Sequence, residues 1–399
     1  MALIPRRPRP PALLRPPVDL VQPLGRRFDW RGPRAPLRLI GLLAVVGVFV
    51  LPFLNASTYL MQILTSAYIY VMLAMGLNVV VGYAGLLDLG YIAFFAVGAY
   101  TSGIATTRLG LSQVQAIPLV IVVCVLAGIV IGGPTLRLRS DYLAIVTLGF
   151  GEIIRVTANN LSVTGGPAGI YAIPGWQFFG WRLRDGFSLG GLRFNGQVTF
   201  YYFVALIVTV LGVLGISQIA RGRLGRAWKA VRDDEDAAEA MGINTYLAKI
   251  TAYIIGAVWA GLAGQLMATQ QSAISPPSFQ FLHSALILMA VVLGGMGSTP
   301  GVIVGALFIS LAPEFLRGVA DWRYLIFGLL LILVMIFRPA GLWPASAVLP
   351  WSRDRRRAAE TAPPPPPESP SSPAAAADRG PTADGPTSAP ASPEREVRP

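Results

Sequence analysis

Apolar residues fill this chain in long unbroken tracts. Leu39–Leu87, Leu89–Thr107, Leu109–Leu136, Phe194–Ala220 and Ile250–Pro313 contain no Asp, Glu, Lys or Arg. A helix needs about 20 mainly apolar residues to cross the hydrocarbon of a bilayer, so several of these tracts can cross more than once. Breakers divide them into ten expected spans: 37–54, 59–82, 86–108, 116–136, 142–158, 198–219, 250–271, 282–296, 300–317 and 324–343. The pattern predicts an all-α polytopic membrane protein. Re-entrant segments would reduce ten spans to eight.

The polar stretches are few, and each has a distinct character. Residues 1–36 are rich in Pro and Arg, and a Pro/Ala-rich tail occupies 344–399. Neither can bury a core, so both are expected to be disordered. A segment at 159–196 is rich in Gly and aromatics and contains Asp185-Gly186, a pair suited to a hairpin turn. A dense charged run, "GRAWKAVRDDEDAAEAMGIN", stands alone at 225–244. Its first seventeen residues are mostly good helix formers, and Gly242 is a natural stop.

Charge placement sets the orientation. Lys and Arg beside spans mark the cytoplasmic side. The basic lead, "RLRSD" at 137–141, the 221–247 loop and "RDRRR" at 353–357 therefore belong to one face. Four, two and four spans separate them, all even numbers, so both termini fall in the cytoplasm and 159–196 falls outside. Placement also explains the formal charge of +12. It collects beside spans, where it orients the chain and meets anionic lipid, rather than forming a nucleic-acid surface.

Composition removes other possibilities. Charged residues make up 13% of the chain, about half the share in a soluble domain. His283 is the sole histidine, which excludes multi-histidine metal sites. Cys124 is the sole cysteine and sits in an apolar tract, as a buried structural thiol would. No G-x-x-x-x-G-K-[ST] loop occurs, so no nucleotide cofactor is expected on this chain. The start lacks the short basic region followed by an apolar core that a signal peptide has.

The candidate chemistry lies in three places. Asp88, Glu152 and Arg155 are ionisable residues in or beside expected spans, and such residues are functional candidates by default. "VVVGYAGLLDLG" (79–90) echoes "VVLGGMGSTPG" (291–301), with valines preceding two glycines three apart. Glycine-interrupted segments in matching positions of two halves point to a transport site, although the same glycines also allow close helix packing. The third place is the charged run, either a solvated connector or a docking surface on a rigid scaffold.

Spacing within that run favours docking. Asp236-Ala237-Ala238, followed by Gly242, resembles the "EAA…G" motif of ABC importer membrane subunits, with Asp for Glu and without the Ile-x-Leu-Pro ending. "GLNVVVGYAGLLDLGYIAFFAVGAY" (76–100), "PTLRLRSDYLAIVTLGFGEIIR" (134–155) and "TGGPAGI" (164–170) resemble the LivM-type permease family of branched-chain amino acid ABC importers. So do "AGLAGQL" (260–266), "ISPPSF" (274–279), "VVLGGMGSTPG" and "FRPAGL" (337–342). The likeness covers 37–343 in order. It implies a bacterial inner-membrane complex of this subunit, a related second permease, two cytoplasmic ATPase subunits that bind ATP, and a periplasmic solute-binding protein. It also makes the charged run a coupling helix, with Arg226, Arg232, Asp236, Ala237, Ala238, Glu239 and Gly242 as candidate ATPase-coupling residues. Asn78, Asp88, Glu152, Arg155, Gly294 and Gly297 are candidates for the translocation path. Related permeases carry urea or short amides, which remains an alternative solute class. A proton-coupled carrier built on Asp88 and Glu152 is a rival from another class, distinguished by its independence of ATP. A membrane enzyme would need clustered acids or histidines at one face, and 159–196 offers only Asp185.

Overall fold

A computed structural model describes residues 57–315, apart from 137–139 and short stretches between 179 and 195, together with scattered positions from 322 to 343. The expected span 37–54, the basic lead, the proline-rich tail and the Asp185-Gly186 turn lie outside the described residues. Of 324–343 only isolated positions are described.

Helices make up most of the described chain, and each of the longer ones lies close to an expected span. Helix α1 (Thr58–Leu77) starts at Ser57, whose hydroxyl accepts the Leu60 amide, and continues into a π-helical turn, Asn78–Tyr83. Helices α2 (Ile92–Thr107), α3 (Gln113–Thr135), α4 (Ser140–Asn160) and α5 (Gly196–Arg221) follow. A capping box of Ser112 and Gln115 opens α3. Two short helices, α6 (Arg223–Asp233) and α7 (Glu235–Ala240), precede α8 (Thr245–Gln271), α9 (Phe281–Gly294) and α10 (Thr299–Phe315). Among the described residues, five helical segments are long and apolar enough to cross a membrane: 58–83, 113–135, 196–221, 245–271 and 276–294. Helix α4 is long enough but less apolar, because it carries Asp141, Glu152 and Arg155.

Three details depart from the sequence expectations. The third span was expected to be helical from residue 86, yet α2 begins at Ile92. The carboxylate of Asp88 accepts the Gly90 amide at 2.8 Å, and Thr147 Oγ1 accepts the Leu89 amide at 3.1 Å. With those donors satisfied elsewhere, the backbone need not coil. The fold also contains short strands: β1 (Ile170–Tyr171) pairs antiparallel with β6 (Ala273–Ile274), while β2 (Gln177–Phe178) with β3 (Trp181–Arg182), and β4 (Ser188–Leu189) with β5 (Leu192–Arg193), form hairpins. Finally, the run 225–241 is two helices rather than one. Asp234 adopts an extended conformation and accepts the Ala237 amide at 2.9 Å, so a capping side chain breaks the helix there.

Helix α8 is the axis of the core, and α2 and α3 pack on it most extensively. A Cβ on Gly98 of α2 would overlap the backbone of Gly261, and one on Gly264 would overlap the Phe95 carbonyl. On α3, Gly128 faces Ile254 and Gly132 faces the Tyr253 ring. Buried Tyr91 donates its hydroxyl to the Gly256 carbonyl at 2.8 Å. A smaller cluster joins α1 to α5, where the Tyr68 and Tyr202 rings meet edge-on at 5.5 Å and their hydroxyls bond at 3.2 Å. Cys124 is buried beside Gly261, as its apolar setting suggested.

Gly98→Val tests this axis. Its added carbons must push α2 off α8, an overpacking cost of about 1–3 kcal/mol or more. Gly215→Ala, in α5 with open space around it, should be neutral or stabilising, because Ala favours a helix over Gly by about 1 kcal/mol. Thermal unfolding of the two variants in detergent should give midpoints on opposite sides, or Gly215→Ala level with the parent.

Candidate functional site

Helix α6 is bolted to the membrane helices on its apolar side. The Trp228 ring is fully buried, and its Nε1 donates to the Ala248 carbonyl at 2.9 Å and to Thr251 Oγ1 at 3.2 Å. Val231 is buried beside it. Helix α7 is tethered by an ion pair between Glu235 and Lys249, at the base of α8. The charged run is therefore no loose connector.

From that seat, α6 reaches the two glycine-rich turns that echo each other in the sequence. These turns touch. The Gly297 amide donates to Asn78 Oδ1 at 2.8 Å, and Tyr83 shares a 2.9 Å hydrogen bond with Thr299 Oγ1. A Cβ on Gly82 would overlap Asn78 and come within 2.5 Å of the Gly297 amide nitrogen. Arg232 closes over this junction: its Nη1 donates to the Gly82 carbonyl and lies against Gly297, while its Cγ lies against Gly85. Lys229 places its ammonium 5.7 Å from the Tyr83 ring centroid, a cation–π contact. Both Gly85 (φ 74°) and Gly297 (φ 79°) occupy the left-handed region, which favours glycine.

The candidate coupling residues thus divide between two faces. Arg232 turns toward the two glycine turns, and Ala238 is buried, so its small size seats α7 on its own chain. Arg226, Asp236, Ala237, Glu239 and Gly242 are exposed. Gly242 ends α7 with φ 80° and nothing near a would-be Cβ, so its requirement is backbone conformation rather than close approach. Met241 belongs with this outer set. Like Trp228 and Val231 it is an apolar residue in the charged run, but those two are buried whereas Met241 is 82% exposed. Only its position beyond the Asp234 break separates it from them.

The candidate path residues also divide. Asn78 and Gly297 meet in the junction, while Gly294 is packed against Gly301 and Val302, where α9 crosses α10. Asp88 is buried in the 84–91 segment, between α1 and α2. Glu152 and Arg155 lie apart from both, on α4. They form the expected ion pair, with Arg155 Nε donating to the two carboxylate oxygens at 3.1 and 3.0 Å. The side chains are 49% exposed for Glu152 and 27% for Arg155, so the pair sits on the outside of this chain.

Residues 59–335 match the family described as branched-chain amino acid transport system / permease component. The chain is 43% identical over 331 residues to the high-affinity branched-chain amino acid transport system permease protein LivM of Escherichia coli, covering 80% of this chain and 77% of the relative. It is 29% identical over 305 residues to BraD of Pseudomonas aeruginosa, a protein of the same description, covering 71% and 95%. To the permease protein LivH of Escherichia coli it is 26% identical over 288 residues, covering 68% and 90%. No solved structure matches the chain.

The junction makes a measurable demand on Arg232. Arg232→Met keeps the stem against Gly85 but leaves the Gly82 carbonyl unpaired, at a cost of about 1–1.5 kcal/mol. Amide exchange across α6 should quicken on the order of tenfold. Exchange at the α2–α8 crossing should not change.

Proposed function

The chain belongs to the family of branched-chain amino acid transport permease components, and from that premise we propose that it is one membrane-spanning half of an ATP-driven importer. A related permease forms the other half, two cytoplasmic ATPases drive it, and a periplasmic binding protein delivers the solute. The solute is a branched-chain amino acid, and the membrane is the bacterial inner membrane. The chain crosses ten times, with both termini in the cytoplasm. The seat of α6 and α7 carries this reading. On one side they grip the junction of the two glycine turns; on the other they present Asp236, Ala237, Glu239 and Met241 outward. That is the shape of a part through which an external motor moves an internal one.

The Glu152–Arg155 pair supports a second permease. A charge at mid-depth costs on the order of 2.5–3.5 kcal/mol on insertion scales. A half-exposed ion pair on a spanning helix therefore needs a polar or protein neighbour. We place it against the second permease, along the solute path the two subunits share.

The test is uptake of labelled leucine by proteoliposomes holding the complete complex. Accumulation should require ATP, and this chain alone should neither accumulate leucine nor hydrolyse ATP. Energised uptake by the single chain would overturn the reading. Met241→Glu should reduce the ATPase that co-purifies with the permease pair by severalfold, because an apolar anchor of an interface becomes a charge. Glu152→Ala should impair assembly of the two permeases by leaving Arg155 uncompensated, and Glu152→Ala combined with Arg155→Ala should recover part of it, since no unpaired charge is then left. If the pair lines the path, that double variant assembles yet imports poorly.

A further inference from the structure

At the end of the chain's axis opposite the charged run lies a cavity that none of these residues uses. Helix α8 has 27 residues, about 40 Å at 1.5 Å per residue. Gln270 and Gln271 therefore sit one membrane thickness away from the coupling segment. They border two adjoining hollows, of about 380 and 600 Å³, within the usual range of roughly 300–1,000 Å³ for small-molecule sites. Ser66, Gln270 and Gln271 line both, so the two share a wall.

Their walls differ in chemistry. The smaller is walled by Ile69, Leu73, Ile92, Phe95, Met267 and Ile287, with Ser278 and His283 at its polar side. His283 lies in the first turn of α9, whose Gln280 cap supplies no side-chain hydrogen bond to the first-turn amides. His283 Nδ1 is itself buried without a hydrogen-bond partner among the described residues. The larger hollow adds Gln62 from the start of α1 and Gln197 from the start of α5, so glutamines from three helix ends ring one opening. Among the described residues, neither lining contains Asp, Glu, Lys or Arg.

We propose that this pair of hollows is a solute-binding site held within this one subunit, accepting a neutral zwitterion with an aliphatic side chain. The proposal rests on the importer reading above and assigns a site to its solute. The glutamine vestibule offers both donors and acceptors, which suits a group bearing an ammonium and a carboxylate of opposite sign. The α9 N-terminus adds amide donors and a favourable dipole on the carboxylate side. The inner hollow takes the aliphatic side chain. An acidic or basic amino acid would bury a charge there without a counter-charge, a penalty of several kcal/mol. The hollow also favours leucine over alanine, because each buried methylene contributes about 0.8 kcal/mol.

Two variants of the complete complex test the site. Met267→Trp fills the inner hollow from a partly buried position. It should raise the leucine concentration for half-maximal uptake at least tenfold while changing alanine uptake by less than threefold. Ser278→Cys should be alkylated by a small thiol reagent, and leucine, but not glutamate or arginine, should slow the alkylation at least fivefold. Equal losses for leucine and alanine in an assembled Met267→Trp complex would overturn the proposal, as would leucine-independent labelling of a transport-competent Ser278→Cys complex. Failure of the unmodified complex to take up leucine would instead count against the importer reading. The labelling arm reads binding alone, so it holds even if Met267→Trp does not assemble.

Discussion

Close backbone approach at glycine is the constraint on which everything else in this chain depends. Among apolar helices in an apolar solvent, water expulsion supplies no attraction, and packing must be won by contact. Helix α8 achieves this through Gly261 and Gly264, against which Gly98 and the Phe95–Ala99 backbone fit at distances no side chain permits, and through Gly256, which packs tightly on Gly76. The same device recurs where α9 meets α10, at Gly294, Gly301 and Gly305. Without these approaches, Tyr91 cannot reach the Gly256 carbonyl and the 84–91 segment loses the wall that holds it. The seat of α6 and α7 and the distant cavity are both built on this rigid stack, one at each end of α8.

Much of the fold was legible because apolar tracts in a bilayer have few alternatives. Each described helix of the bundle lies within a few residues of an expected span, apart from the start of α2. The misplaced edge and the broken helix share a cause. At Asp88 and Asp234 a short acidic side chain captures a nearby backbone amide and ends helical geometry. Pattern and propensity see those residues only as polar, not as local competitors for the backbone. The pairing of Glu152 with Arg155 was readable from spacing alone, since three residues apart on a helix means one face.

The site was legible in its parts and not in its assembly. The two glycine turns could be matched as an echo, and the charged run could be singled out. That Arg232 joins the one to both of the others required three separated segments in space. Nor could spacing divide the run into an inner and an outer face, because the break at Asp234 resets the helical phase and leaves Met241 outside while Ala238 stays inside. The hollow beneath the glutamine ring had no signature at all. Its lining comes from helix ends and interiors more than 200 residues apart, and each of those residues is ordinary for a spanning helix.

The Trp228–Arg232 arrangement amounts to a short crank. Trp228, buried and doubly hydrogen-bonded, is the bearing; Arg232, one helical turn further on, is the pin. Four residues of helix make an arm of about 6 Å, so a tilt of roughly 10° about the bearing carries the pin about 1 Å. Because one guanidinium rests on both turns, α1 and α9 receive that displacement together rather than in succession. A hydrogen bond to a carbonyl weakens steeply over such a distance, which gives the crank a narrow stroke: it can shift the two turns in step, or let them go.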